Sequence, residues 1–84
     1  MSPTDDELRA VILLVEHGLL RTWLIATKLR WRTPAARRSL RRLEQAGLVE
    51  NSTRYSAVND LAWSPTPAGR AYAAAVKPAA GGSL

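Results

Sequence analysis

The chain has 84 residues, no cysteine, one histidine and a formal net charge of +5, with a sequence pI near 10.8. That length supports one small core and leaves no room for a second domain, and without thiols neither a disulfide nor a cysteine-based zinc site can hold it. The cationic excess draws polyanions; of these an anionic membrane is the weaker choice, because the longest apolar run, Ala10 to Val15, falls far short of the ~20 residues of a spanning helix.

In chain order, Met1 to Pro3 read as a loose end, and Thr4-Asp5-Asp6-Glu7 is a capping-box signature whose acids sit where the helix dipole favours them. This acidic start also argues against a secretory signal or transit peptide. The first helix presents Leu8, Val11, Ile12 and Val15 as its apolar face, with Leu14 and Leu19 also inward, and His17-Gly18 supplies its stop. His17 has no second candidate ligand close by and reads as a helix-terminal surface or packing residue. A shorter helix runs from Arg21-Thr22 to Arg30, with Thr22 as cap and Ile25, Ala26 and Leu29 inward. Trp31 and Arg32 leave space only for a tight turn, at which Trp31 reads as a core anchor.

Residues 33 to 49 organise the rest. Thr33 is expected to cap a helix that has Pro34 in its first turn, and Gly47 ends it. At about 100° per residue, Ala36, Leu40, Leu43 and Gly47 share one stripe, while Arg38, Arg41 and Gln45 point nearly the opposite way with Arg42 beside them. An ordinary solvated helix mixes signs. Here no acid occurs between Glu16 and Glu44, whereas Arg21, Lys28, Arg30, Arg32, Arg37, Arg38, Arg41 and Arg42 all do. Such mutual repulsion is relieved by an anionic partner.

Beyond Gly47, Leu48 to Tyr55 begin apolar and turn polar, Ser56 to Asp60 hold turn formers, and Leu61 to Ser64 alternate as a returning strand with Trp63 inward. The expected product is a two-stranded hairpin with Ser52, Thr53 and Arg54 at its tip, or slightly later residues if the loop is long. Thr66 then caps a last helix with Pro67 in its first position, Lys77-Pro78 ends it, and residues 78 to 84 have nothing to bury.

The stretch LRRLEQAGLVE resembles the recognition-helix end of MarR-type bacterial winged-helix regulators, where Leu-x-x-Leu-Glu runs into Gly-Leu-Val. SPTPAGRAY at 64 to 72 is similar to the Leu-Thr-Pro-x-Gly-Arg element that opens the helix after the wing in the same proteins, with Pro65 where an apolar residue is usual. The resemblance spans roughly residues 6 to 76. It implies a mainly α protein with a small β-hairpin (α+β), a winged helix-turn-helix in the order α-α-α-β-β-α, occupying 4–77 between a flexible 1–3 and a disordered 78–84. The long flanking helices that build the dimer and ligand pocket of MarR-type proteins have no counterpart in this reading, so ligand sensing and that dimer mode are not carried over.

The function implied is sequence-specific binding of double-stranded DNA by a small prokaryotic or phage-type transcription regulator in the cytoplasm, associated with the nucleoid. Helix 33–46 would enter the major groove, with Arg38, Arg41 and Gln45 towards bases or adjoining backbone and Arg37 and Arg42 on phosphates. Thr33 and the helix N-terminus would hold a phosphate, Lys28, Arg30 and Arg32 would line the approach, and Arg54 would serve the wing. A homodimer on two half-sites is the favoured arrangement. No cofactor, metal or small-molecule ligand is expected. An enzyme is disfavoured by the absent thiol, the lone histidine and the lack of an acid pair beyond residues 5 to 7. The competing reading is a winged-helix module that binds protein, or an accessory factor of a DNA-processing complex.

Overall fold

The computed structural model describes residues 4–52 and 60–76. Four helices and three short strands follow in the order α1 (Asp5–His17), β1 (Leu20–Arg21), α2 (Thr22–Leu29), α3 (Thr33–Gln45), β2 (Val49–Asn51), β3 (Ala62–Pro65) and α4 (Pro67–Val76). The winged-helix order expected from sequence is present, with one strand more. Instead of a bare hairpin, β3 is the centre of an antiparallel sheet ordered β1-β3-β2, where Leu20 faces Trp63 and Val49 faces Pro65. A two-residue strand has no periodicity to read. It forms because β3 offers a second edge, and Thr22 N–H continues the ladder to the Leu61 carbonyl at 2.9 Å.

Trp63, Leu14, Ile25, Leu40, Leu43, Val11 and Val49 are fully buried and form the centre of the core. The Thr4–Glu7 capping box of α1 is present in both directions. The inward stripe of α1, however, is Glu7, Ala10, Val11 and Leu14. Leu8, Ile12 and Val15, expected inward, are half-buried on its flank, and Leu19 is exposed while Leu20 is buried in its place. With apolar residues nearly all round its middle, α1 has no sharply defined face of its own, so its rotation is set by what it packs on.

Two expected caps are corrected. Thr22 is the first residue of α2, not its cap: its hydroxyl donates to the Leu61 carbonyl (3.0 Å) and accepts from the Trp63 indole N–H (2.8 Å). Arg32, not Thr33, caps α3, and it makes no side-chain cap hydrogen bond. The other end of α3 is as expected. Gly47 adopts φ +79, and Gly47 N–H and Leu48 N–H bond back to the Glu44 and Leu43 carbonyls at 2.9 and 3.0 Å, a Schellman closure. The same closure ends α2, where the left-handed residue is Arg30 (φ 60) and Trp31 N–H reaches the Ala26 carbonyl at 2.8 Å. Trp31 is half-buried against the core.

Thr66 caps α4 by accepting from Gly69 N–H at 3.0 Å, and its hydroxyl donates to the Gly47 carbonyl. Any Cβ on Gly69 would collide with the Leu48 carbonyl oxygen. Both motifs that carry the family resemblance therefore meet at one junction, the end of α3 against the start of α4.

Candidate nucleic-acid interface

Helix α3 buries Ala36, Leu40 and Leu43. Arg37, Arg38, Arg41, Arg42 and Gln45 are all exposed, as are Thr33 and, on α2 and the connecting turn, Lys28, Arg30 and Arg32. The expected separation of an apolar stripe from a cationic face is thus observed. Arg38 and Gln45, two turns apart and within about 20° of each other around the axis, occupy its centre.

The flanks differ from the centre. Arg42 lies on the α1 side, where its Nε is 3.0 Å from Glu7 Oε2, a carboxylate side chain only 7% exposed. The N–H is not aimed at that oxygen, so the contact is an ion pair rather than a directed hydrogen bond. The other Glu7 oxygen accepts from Thr4 N–H at 3.1 Å. Arg41 lies on the sheet side: its Nη1 donates to Glu44 Oε1 at 3.2 Å, and its guanidinium carbon is 5.7 Å from the centre of the Trp63 ring. No salt bridge engages Lys28, Arg30, Arg32, Arg37 or Arg38 among the described residues. Arg54 lies outside the described residues.

Glu7, Glu44 and Trp63 are the site neighbours that sequence reading missed. Glu7 was already accounted for by the capping box, and Glu44 by the Leu-x-x-Leu-Glu pattern. The one signal was spacing: Glu44 stands three residues after Arg41, a neighbouring position on a helix surface. Among the described residues, no cluster of His, Cys, Asp or Glu could hold a metal ion, and no helix is long and apolar enough to cross a membrane.

No protein-family model matches the chain, and no curated protein is similar to it. Solved structures are. A probable transcriptional regulator from Pseudomonas aeruginosa superimposes with a TM-score of 0.81 at 25% identity, over 94% of this chain and 59% of that one. NadR in complex with 4-hydroxyphenylacetate gives a TM-score of 0.80 at 27% identity, over 88% and 52% of the two chains. Wild-type ZitR of Lactococcus lactis in complex with DNA gives 0.76 at 23%, over 88% and 50%; ZitR is described as a zinc-responsive MarR family member. The domain is a MarR-like winged helix.

In this MarR-like winged helix, α2 and α3 are the helix-turn-helix pair, and β2 and β3 are the paired strands of the wing. The chain spans about half the length of those structures, 59%, 52% and 50% respectively.

Proposed function

We propose that the chain is a sequence-specific duplex-DNA-binding module of a transcription regulator, with α3 in the major groove and residues between β2 and β3 on the backbone. The observation that carries this reading is the outer surface of α2 and α3, where Lys28, Arg30, Arg32, Arg37 and Arg38 are exposed and enter no salt bridge among the described residues. A surface of like charge is the footprint of a polyanion. The structural likeness to ZitR, which has been solved with DNA, and to a probable transcriptional regulator supports the same reading.

Arg38 at the centre of the face suits guanine O6 and N7, Gln45 an adjoining base or phosphate, and Arg37 the phosphates. The uncapped N-terminus of α3 can hold a phosphate oxygen beside Thr33, with Arg32, Arg30 and Lys28 along the same strand. Arg54 fits the wing by its place in sequence. The reading is of a binding protein rather than an enzyme, acting in the cytoplasm as a homodimer on two half-sites. Selection of bound duplexes from a random pool tests it. A shared motif containing guanine is expected, and a pool that yields no bound duplex would overturn the proposal.

One observation favours a second reading. Trp23, on the outer face of α2, is 53% exposed, which suits an acidic protein partner. Unrelated duplex DNA would fail to displace such a partner, whereas it competes for a DNA site.

A further inference from the structure

Of the arginines on the outer face of α3, Arg41 alone is held by a carboxylate on its own helix and by an aromatic ring on another element. The ring belongs to Trp63, which is fully buried and is fixed by its indole N–H on the Thr22 hydroxyl at 2.8 Å. Thr22 is itself anchored through its backbone N–H and hydroxyl to the Leu61 carbonyl. A rigid chain therefore runs from the start of α2 through β3 to the guanidinium. Glu44, whose side chain is 34% exposed, closes it from the other side at 3.2 Å.

A guanidinium has five N–H donors, and Glu44 takes one. The remaining donors stay available on a side chain that is still 53% exposed. An arginine already restricted to one arrangement loses less rotamer freedom on binding and tolerates less misalignment than a free one, which improves discrimination more than raw affinity. Arg38 and Arg37, with no such support, are free to follow the backbone or adapt to a base.

We infer that Glu44 is a specificity-positioning residue: with the Trp63 ring it holds Arg41 ready to read one base pair, while contributing no attraction to DNA itself. This rests on the proposed DNA-binding function and adds to it the residue that sets selectivity. Being negative, Glu44 opposes phosphate. Its removal should therefore leave affinity for a scrambled duplex the same or higher while lowering preference for the right one, a combination that a purely structural role would not produce.

The experiment is a competition assay with the selected duplex and a scrambled one, on the wild type, Glu44→Gln, Arg41→Ala and the double variant, each checked for an unchanged melting transition. In parallel, the Arg41 side-chain Nε–H resonance is followed in the DNA-free protein. The expected result is that Glu44→Gln binds the scrambled duplex at least as tightly as the wild type, yet loses about tenfold in preference at one base pair. The same substitution should change nothing further when Arg41 is already alanine, and the ring-shifted Arg41 resonance should move to its free position. An unchanged preference in Glu44→Gln, an equal loss in the Arg41→Ala background, or an Arg41 resonance already at its free position in the wild type would each overturn the inference. If the wild type binds no duplex at all, it is the proposed function that fails, and the resonance still reports whether Arg41 is held. If Glu44→Gln melts early, Glu44→Asp, which keeps the charge but shortens the reach, is expected to show the same loss of preference in a folded protein.

Discussion

Leu40 and Arg38 lie two residues apart on α3 and face opposite ways, one fully buried and one exposed. Leu40→Ala is expected to cost about 2 to 5 kcal/mol, a large share of the stability of so small a domain. Arg38→Ala should leave the melting temperature nearly unchanged and weaken DNA binding. Equal destabilisation by both would contradict the assignment of the two faces. Arg42 separates from Arg38 on other grounds, because its loss strands the buried Glu7 carboxylate. Removing one partner of a fully buried pair costs ~3 to 5 kcal/mol, and an Arg42 side chain that is 65% exposed brings the expectation for Arg42→Ala down to about 1 to 2 kcal/mol. Denaturant titration of Arg42→Ala and Arg38→Ala side by side is the check; indistinguishable midpoints would mean that Glu7 does not depend on Arg42.

At the scale of elements, Gly69 decides how α4 meets the end of α3. A glycine inside a helix ordinarily gains about 1 kcal/mol on becoming alanine. Here the added Cβ meets the Leu48 carbonyl, a backbone atom that cannot step aside, so Gly69→Ala is expected to destabilise by about 1 to 3 kcal/mol. A rise in melting temperature would show that α4 docks elsewhere. Arg30 carries the opposite expectation: it closes α2 at φ 60, so Arg30→Gly should cost no stability while removing one cation from the approach to α3.

What the sequence disclosed follows the range of the forces involved. The end and the amphipathic split of α3 were legible because Gly47 and the Leu40–Leu43 stripe act within a few residues, whereas its cap fell one residue before Thr33, at Arg32. The rotation of α1 was not: Leu8, Ile12 and Val15 are as apolar as Val11 and Leu14, and packing against the other elements, which turns Ala10, Val11 and Leu14 inward, is not written in the helix itself. Thr22 likewise looked like a local cap, although its hydroxyl serves Leu61 and Trp63, 39 and 41 residues away. Within the candidate site, the cations were legible from their missing counter-charges, whereas the hold of Glu44 and Trp63 on Arg41 depends on where β3 returns.

Among the described residues charge is unevenly spread: Asp5, Asp6 and Glu7 gather in the first turn of α1, and the exposed Lys28, Arg30, Arg32, Arg37 and Arg38 gather on α2, the turn after it and α3. An 84-residue module offers a small footprint on DNA, and a pair of copies on half-sites about one helical turn apart recovers affinity. Sedimentation with the selected duplex is expected to show two copies per palindromic site; a strict 1:1 complex would assign the module to monomeric action. The central claim, that the outer face of α2 and α3 binds duplex DNA through its unpaired cations, is tested most directly by fluorescence anisotropy between about 50 and 200 mM salt. Each phosphate neutralised contributes about −0.9 to the slope of log affinity against log salt, so four to six contacts lower affinity by roughly two to three orders of magnitude over that range. A steep fall of that size is the expected result, and a flat response, or no binding at the lower salt, would contradict it.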